Sequence, residues 1–350
     1  MKYIEEDFAK DLYHDLTQRF ASRTLVVSTI EGGGVHWLCT VKYNGNICSI
    51  DCFDKFGSAE YFTSFKRDSQ IIAMGRTSSK IETINAVDEW INGCKLVYLY
   101  ERFSFVDQYK RSLMVIYDDL VANSLELSEL AKLKHGLGDS YELWFEHDAR
   151  RGCINVDEDQ EIIHAAFHWD RGIMFNIKTQ DRKCLAEVLK RWVYDCALPS
   201  AIRTEFPWIE IDKLADFYER GNPIEGEFIK SWDSIERFYE GNRIYYRNEL
   251  TSRMLELVNS IRAEGYDRHL HAGQALYQLI LSRSQDRRCY LCCLGKYESY
   301  QVNGEQKTIQ GLKVSYYVNG KLSEEFEEDE IALSSKIRKI LQQLLEQPMT

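Results

Sequence analysis

Strand-forming hydrophobic residues are concentrated in three short runs near the start of the chain, and polar turn residues separate the runs. The runs cover residues 25–30, 35–43 and 47–53. Between them lie Gly32-Gly33-Gly34 and Asn44-Gly45-Asn46, which are tight-turn sequences. Runs of this length joined by such turns are typical of consecutive antiparallel strands. We therefore predict an antiparallel meander, which two further extended runs near residues 61–66 and 71–76 continue.

A helical spacing of apolar positions begins directly after this meander. Ser79 precedes a segment in which Ile81, Ile84, Val87 and Ile91 recur at intervals of three or four residues. This spacing predicts a helix that buries one face, and serine is a favoured residue at a helix N-terminus. Further helices are predicted up to about residue 130, over residues 96–102 and 106–120.

A second cycle of strands and helix begins near residue 141. Strands are predicted over residues 141–146, 152–156, 162–169 and 173–178, and a helix is predicted over residues 181–194. Trp90 precedes Cys94 by four residues, and Trp192 precedes Cys196 by four. Aromatic segments follow in both cycles, and they begin at Phe103 and Phe206. We interpret the two cycles as degenerate copies of one unit. The alternative is a chance agreement, because single residues carry the match.

The remainder of the chain changes from helices to strands. Helices are predicted over residues 224–239, 244–263 and 268–284, strands over 289–300, 307–318 and 321–326, and a closing helix over 334–346. Strands and helices come in blocks and do not alternate as βαβ units, which favours an α+β fold with antiparallel sheets. The predicted organisation is an N-terminal α+β unit (1–135), a second α+β unit (136–222), and a helical segment followed by a C-terminal β-meander and a closing helix (223–350).

The charge of the chain is concentrated in two segments. The 350 residues have a formal net charge of −11. Residues 195–240 contain eleven acidic and five basic side chains, and residues 321–330 contain six and one. An acidic chain repels phosphate backbones unless it has a local basic patch, so free nucleic acid is not the expected general partner. The acidic segments are interpreted as solvated surface, or alternatively as a docking surface for a basic partner.

The cysteines and the N-terminus bear on localisation. The ten cysteines have no regular spacing and lie mostly in apolar segments, which favours reduced, buried thiols. Residues 1–10 lack the apolar stretch of a signal peptide, and no run of about 18 apolar residues occurs. We expect a cytoplasmic protein that has no membrane partner.

Motifs for nucleotide binding and for the common catalytic classes are absent. Gly32-Gly33-Gly34 lacks the Gly-Lys-Ser/Thr of a phosphate-binding loop, and there is no Gly-x-Ser-x-Gly or kinase motif. The nearest zinc-like set is His269, His271, Cys289 and Cys292, but its spacing is not that of a zinc finger. No local pairing of cysteine with histidine indicates a nucleophile. We therefore expect no metal and no cofactor.

One basic stretch lies within this acidic chain. Residues 262–288 contain five arginines and three acids. If residues 268–284 were helical, arginines would cluster at the C-terminal end of the helix, where cations are favoured. The candidate residues for contact with an anion or with nucleic acid are Arg268, His271, Arg283, Arg287 and Arg288. The alternatives are solvated surface and ion pairs with the acidic segments.

The segment Thr204–Ile209 is the candidate for partner binding. It could expose Phe206 and Trp208 as an anchor, because aromatic residues are favoured at interaction hot spots. The alternative is a hydrophobic plug that closes the second sheet.

The leading functional hypothesis is a non-catalytic interaction or regulatory protein that works as a subunit of a multiprotein assembly and binds a protein partner. One alternative is a metal-dependent hydrolase or nuclease with an unrecognised site. The other is a nucleic-acid-binding subunit that uses the local arginine patch.

Overall fold

The computed structural model describes residues 4–21, 26–32, 36–136, 140–157, 161–246, 249–283, 288–302 and 305–347. The chain begins with helix α1 (Ile4–Arg19), which the sequence patterns did not predict. A five-stranded antiparallel meander follows and confirms the predicted strands: β1 (Val26–Gly32), β2 (His36–Tyr43), β3 (Asn46–Lys55), β4 (Ser58–Arg67) and β5 (Gln70–Thr77). Next comes helix α2 (Lys80–Ile91), and Ser79 caps it by accepting a hydrogen bond from the Glu82 backbone N–H.

The second cycle has the same order of elements. After α3 (Leu96–Arg102), helix α4 (Gln108–Asn123) leads into a second five-stranded meander. Its strands are β6 (Ala131–His135), β7 (Tyr141–His147), β8 (Arg150–Val156), β9 (Ile163–Trp169) and β10 (Gly172–Thr179). Helix α5 (Arg182–Leu189) follows and continues into a π-helical turn, Lys190–Tyr194. Four of these strands were predicted; β6 was not, because it is short and mostly polar.

After α5 and its π-helical turn, four further helices precede the third sheet in the described part of the chain. They are α6 (Pro199–Glu205), α7 (Leu214–Glu219), α8 (Pro223–Tyr246) and α9 (Glu249–Ala263). The third sheet has five antiparallel strands in sequence order: β11 (His271–Ala275), β12 (Gln278–Ser282), β13 (Tyr290–Val302), β14 (Glu305–Val318) and β15 (Lys321–Glu328). Helix α10 (Ser335–Leu345) closes the chain as predicted.

The predicted α+β class with two degenerate repeats is confirmed, and the same order of elements occurs a third time. Each occurrence has a helix, a five-stranded antiparallel meander and a second helix: α1 to α2, α4 to α5, and α9 to α10. In the first and third occurrences, both helices contribute buried side chains to one cluster with the sheet. The meander supplies the apolar face, and the two helices cover it.

Among the residues whose burial is described, three tryptophans are fully buried. Trp90 in α2 and Trp192 in the π-helical turn both follow the fifth strand of their sheets, and Trp232 lies in α8. An arginine lies over each of the first two rings. The guanidinium carbon of Arg67 is 4.9 Å from the Trp90 ring centroid, and that of Arg150 is 3.9 Å from the Trp192 ring centroid. Trp90 and Trp192 therefore occupy equivalent places, as the repeat predicts.

The proposed match between Cys94 and Cys196 is wrong by one residue. In the first repeat the residue with left-handed backbone after the helix is Gly93 (φ +84°), three residues beyond Trp90. In the second repeat it is Cys196 (φ +50°), four residues beyond Trp192. The π-helical turn adds one residue before the helix ends, so Cys196 is equivalent to Gly93.

The predicted helix over residues 268–284 is also wrong, because the segment forms the hairpin of β11 and β12. The turn places Leu276 in a left-handed conformation (φ +55°) with 84% of its surface exposed. Ala272, Leu279 and Leu281 are buried. The helical spacing of apolar residues was misleading, since Leu276, which fits that spacing, lies in the exposed turn.

The close contacts divide the chain into two units. One comprises Met1–Phe167 and Asn176–Ala197, and the other comprises His168–Phe175 and Leu198–Thr350. The predicted boundaries after residues 135 and 222 stay predictions. Within the described ranges, no helix has both the length and the apolar character needed to cross a bilayer.

Candidate functional site

In both of the first two repeats, the chain returns to the middle of the fifth strand after a short helix. The backbone N–H of Asp107 donates to the Met74 carbonyl, and Val106 forms an isolated β-bridge with Gly75. In the second repeat, the N–H of Asp212 donates to the Met174 carbonyl at 2.7 Å. There Ile211 forms the bridge with Phe175. These equivalent contacts allow the two loops to be compared residue by residue.

The loop of the second repeat is two residues longer. Phe103 and Phe206 each follow the short helix, and each donates its N–H to the carbonyl four residues earlier at 2.8 Å. The bridge residue then comes three positions after Phe103, at Val106, but five positions after Phe206, at Ile211. The additional residues let the second loop project a side chain that the first loop keeps inside.

The consequence is a change in the exposure of the aromatic residues. In the first repeat Phe103 is 8% and Phe105 4% exposed, whereas Trp208 in the second repeat is 52% exposed. Phe206 is half-buried, and its ring meets the Trp208 ring edge to face at 6.5 Å. Ile209 is buried beneath the loop, and its N–H donates to the Phe206 carbonyl at 3.0 Å. The indole is thus held in a defined position while it faces solvent.

Polar contacts fix the helices on either side of this loop. Arg203 of α6 pairs with Asp216 of α7 at 3.1 Å. The backbone N–H of Ser200, also in α6, donates to the Glu219 carboxylate at 3.0 Å. Glu205 and Glu210 flank the aromatic residues, and both are exposed. The candidate site is therefore a pre-formed aromatic projection with an acidic margin, and we call residues 204–210 the aromatic loop.

Three of the five basic candidate residues lie at the third sheet, and not at a helix end as predicted. His271 pairs with Ser282 across β11 and β12, and Ser282 pairs with Tyr290 across β12 and β13. Arg283 directly follows Ser282, and Arg288 precedes Tyr290 by two residues. The register therefore brings His271, Arg283 and Arg288 to the same end of the sheet.

The other two basic candidates are Arg287 and Arg268. Arg287 lies outside the described residues. Arg268 lines an open cleft of about 820 Å³, and its Nε is 4.0 Å from a carboxylate oxygen of Glu225. The same cleft contains Arg262, which has ion-pair contacts of 2.6 Å with both Asp233 and Glu236. Burial opposes the charge of Arg262, but these hydrogen bonds raise its pKa. The carboxylates offset much of the positive charge of the cleft.

One cluster of reactive side chains was missed by the sequence reasoning. His147, Asp148 and Cys196 each offer a ligand atom, and these atoms all lie within 4.8 Å of one another. The cysteine is 49 residues from the histidine along the chain. No spacing motif could reveal this pair, because the packing of the helix end against the β7–β8 turn creates it.

Comparison with models of protein families, with curated proteins and with solved structures finds no match to this chain.

Proposed function

We propose that this chain is a non-catalytic interaction protein of the cytoplasm, a subunit of a protein assembly that docks a protein partner through the aromatic loop. The observation that carries the proposal is the exposure of Trp208, at 52%, on a loop whose counterpart in the first repeat buries both aromatic rings. A protein core gains nothing from an exposed indole. A binding surface gains affinity from an exposed indole, because a rigid aromatic anchor loses little conformational entropy when a partner buries it.

The partner expected from this chemistry has an apolar pocket with a basic rim. Burying the exposed half of a tryptophan removes on the order of 100 Å² of apolar surface from water. At about 25 cal/mol per Å², this contributes roughly 2.5 kcal/mol, which is the size of a hot-spot residue. Glu205 and Glu210 on the loop, and the excess of acids over residues 195–240, favour an encounter with a positively charged surface.

Quantitative co-purification from the cells that produce the protein tests the proposal. Tagged wild type, Trp208→Ala and the control Phe56→Ala are compared. Phe56 is 99% exposed in the β3–β4 turn, so its removal controls for the loss of an exposed aromatic residue elsewhere. We expect a defined partner to be lost with Trp208→Ala and retained with Phe56→Ala. The proposal is wrong if Trp208→Ala retrieves every partner in wild-type amounts.

The clustering of His271, Arg283 and Arg288 at one sheet end supports a second candidate, contact with nucleic acid. If these side chains meet phosphates, Arg283→Ala/Arg288→Ala should reduce the slope of log affinity against log salt by up to about two units. Measured binding of single- and double-stranded nucleic acid at several salt concentrations tests this candidate. Equal slopes for wild type and the double variant exclude it.

A further inference from the structure

The cluster of His147, Asp148 and Cys196 combines three kinds of metal-ligating atom at the end of the second sheet. His147 is the last residue of β7, Asp148 begins the turn to β8, and Cys196 lies two residues beyond the end of the helix that follows the sheet. The Cys196 sulfur is 3.8 Å from Nδ1 of His147. His147 and Cys196 are half-buried, whereas Asp148 is exposed. The cluster is thus supported by the fold on one side and open to solvent on the other.

The backbone of Cys196 provides an independent indication of function. Left-handed backbone is unfavourable for a residue with a Cβ atom, and the position after a helix usually holds glycine. The equivalent residue in the first repeat is Gly93. Among the described non-glycine residues with positive φ, only Cys196, Phe56 and Leu276 are not Asn, Asp or Ser. A cysteine at a glycine position, next to a rare π-helical turn, points to a use for its thiol.

The Cys196 thiol and the His147 ring face the same backbone carbonyl. The thiol donates to the Val193 carbonyl at 3.5 Å, and Nδ1 of His147 lies 3.2 Å from the same oxygen. A metal ion bound between the two side chains replaces these contacts and stabilises the thiolate directly.

We propose that His147, Asp148 and Cys196 bind a zinc ion, with water as the fourth ligand. Zinc accepts imidazole nitrogen, carboxylate oxygen and thiolate sulfur, and sites with three protein ligands leave one position open. Bond lengths of about 2.3 Å to sulfur and 2.0 Å to nitrogen at a tetrahedral angle separate those two atoms by about 3.5 Å. The observed separation of 3.8 Å is close to this value.

Zinc binding is balanced in charge and in the number of protons. The Zn–S bond forms as the thiol proton of Cys196 leaves to solvent, and the thiolate and the Asp148 carboxylate offset the two charges of the ion. One proton is released for each zinc bound, so the affinity rises with pH while the thiol is the protonated species. The inference reverses the expectation from sequence that no metal is bound.

The test is a zinc titration of the full-length, metal-free protein in competition with a chromophoric chelator. The informative variant is Cys196→Gly, because glycine is the residue that this backbone position favours and the fold is expected to survive. The control is Cys94→Ser, which changes a half-buried cysteine of the first repeat. We expect one zinc per chain for wild type and for Cys94→Ser. We expect an affinity at least 100-fold lower for Cys196→Gly and for His147→Ala.

A second readout identifies the ligands. Cobalt in place of zinc should give a thiolate-to-cobalt charge-transfer absorption in wild type and Cys94→Ser, and none in Cys196→Gly. Without metal, Cys196→Gly should melt no lower than wild type, so a loss of binding cannot be attributed to misfolding. The proposal is overturned if wild type binds no stoichiometric zinc, or if Cys196→Gly binds zinc as tightly as wild type.

Discussion

Substitution of Gly75 by alanine should strongly destabilise the first repeat. Gly75 lies in β5, where the returning loop passes close to the strand. A Cβ atom on Gly75 would lie 2.3 Å from the Phe105 carbonyl oxygen and 2.8 Å from its ring, whereas ordinary contacts begin near 3.4 Å. The loop must therefore move by about 1 Å, and a backbone carbonyl cannot rotate away as a flexible side chain does.

The size of the effect follows from the contacts that this movement disturbs. Asp107 is 2% exposed, and its carboxylate accepts hydrogen bonds from the Met74 N–H at 2.8 Å and the Tyr100 hydroxyl at 2.6 Å. Overpacking costs about 1–3 kcal/mol, and a buried acceptor that loses a partner costs about 1–3 kcal/mol. Together these predict a loss of about 2–6 kcal/mol, which at about 2–4 °C per kcal/mol is a decrease of about 4–24 °C in melting temperature.

Thermal unfolding followed by circular dichroism measures this loss. The matched control is Gly241→Ala in α8, where nothing lies within 4 Å of the added Cβ. Alanine is the better helix former, so the control should gain up to about 1 kcal/mol. If Gly75→Ala melts within about 2 °C of wild type, the close approach of loop and strand is refuted.

Three further predictions concern the same scaffold. Hydrogen bonds from two lysines of β6 lower the pKa of Glu146. Its ionised form therefore stabilises the fold above the unfolded pKa of about 4.3. Glu146→Gln should reduce stability at pH 7, and this effect should shrink as the pH falls through the lowered pKa of Glu146, as denaturant titrations at a series of acidic pH values would show. Tyr100→Phe removes one donor to Asp107 and should cost about 1–3 kcal/mol in urea unfolding. Phe56→Gly relieves a left-handed backbone (φ +54°) and should raise the melting temperature, with a gain of about 1 kcal/mol or less.

The elements that could be predicted from sequence are those whose signals are local. Asn44-Gly45 and Asn319-Gly320 form the turns that their residue types favour, and all four have positive φ. The segment after Ser79 is a helix because the cap and the apolar spacing agree. The helix predicted over residues 268–284 was wrong because the apolar residues of this segment fit a helical period as well as a hairpin. Only the turn at Leu276 distinguishes the two structures.

The sites depend on non-local geometry, which no pattern in one sequence contains. Phe206 and Trp208 were identified from their residue types, but the reason for the exposure of Trp208 is a loop two residues longer than its counterpart. The pairing of His147 with Cys196 depends on the π-helical turn, which shifts the cysteine into the position of Gly93. The comparison of the two sequence repeats matched Cys94 with Cys196, because equal spacing from the tryptophan makes no allowance for the extra residue of the π-helical turn.

The most direct test of the proposed function is site-specific photo-crosslinking at position 208 in the cells that express the protein. A photoreactive phenylalanine analogue replaces Trp208, and in a parallel sample it replaces Phe56. The account predicts a discrete crosslinked partner from position 208 that is absent from position 56, and a weaker yield when Glu205 and Glu210 are changed to lysine. Irradiation that gives no adduct at position 208, or the same adducts at both positions, would contradict it.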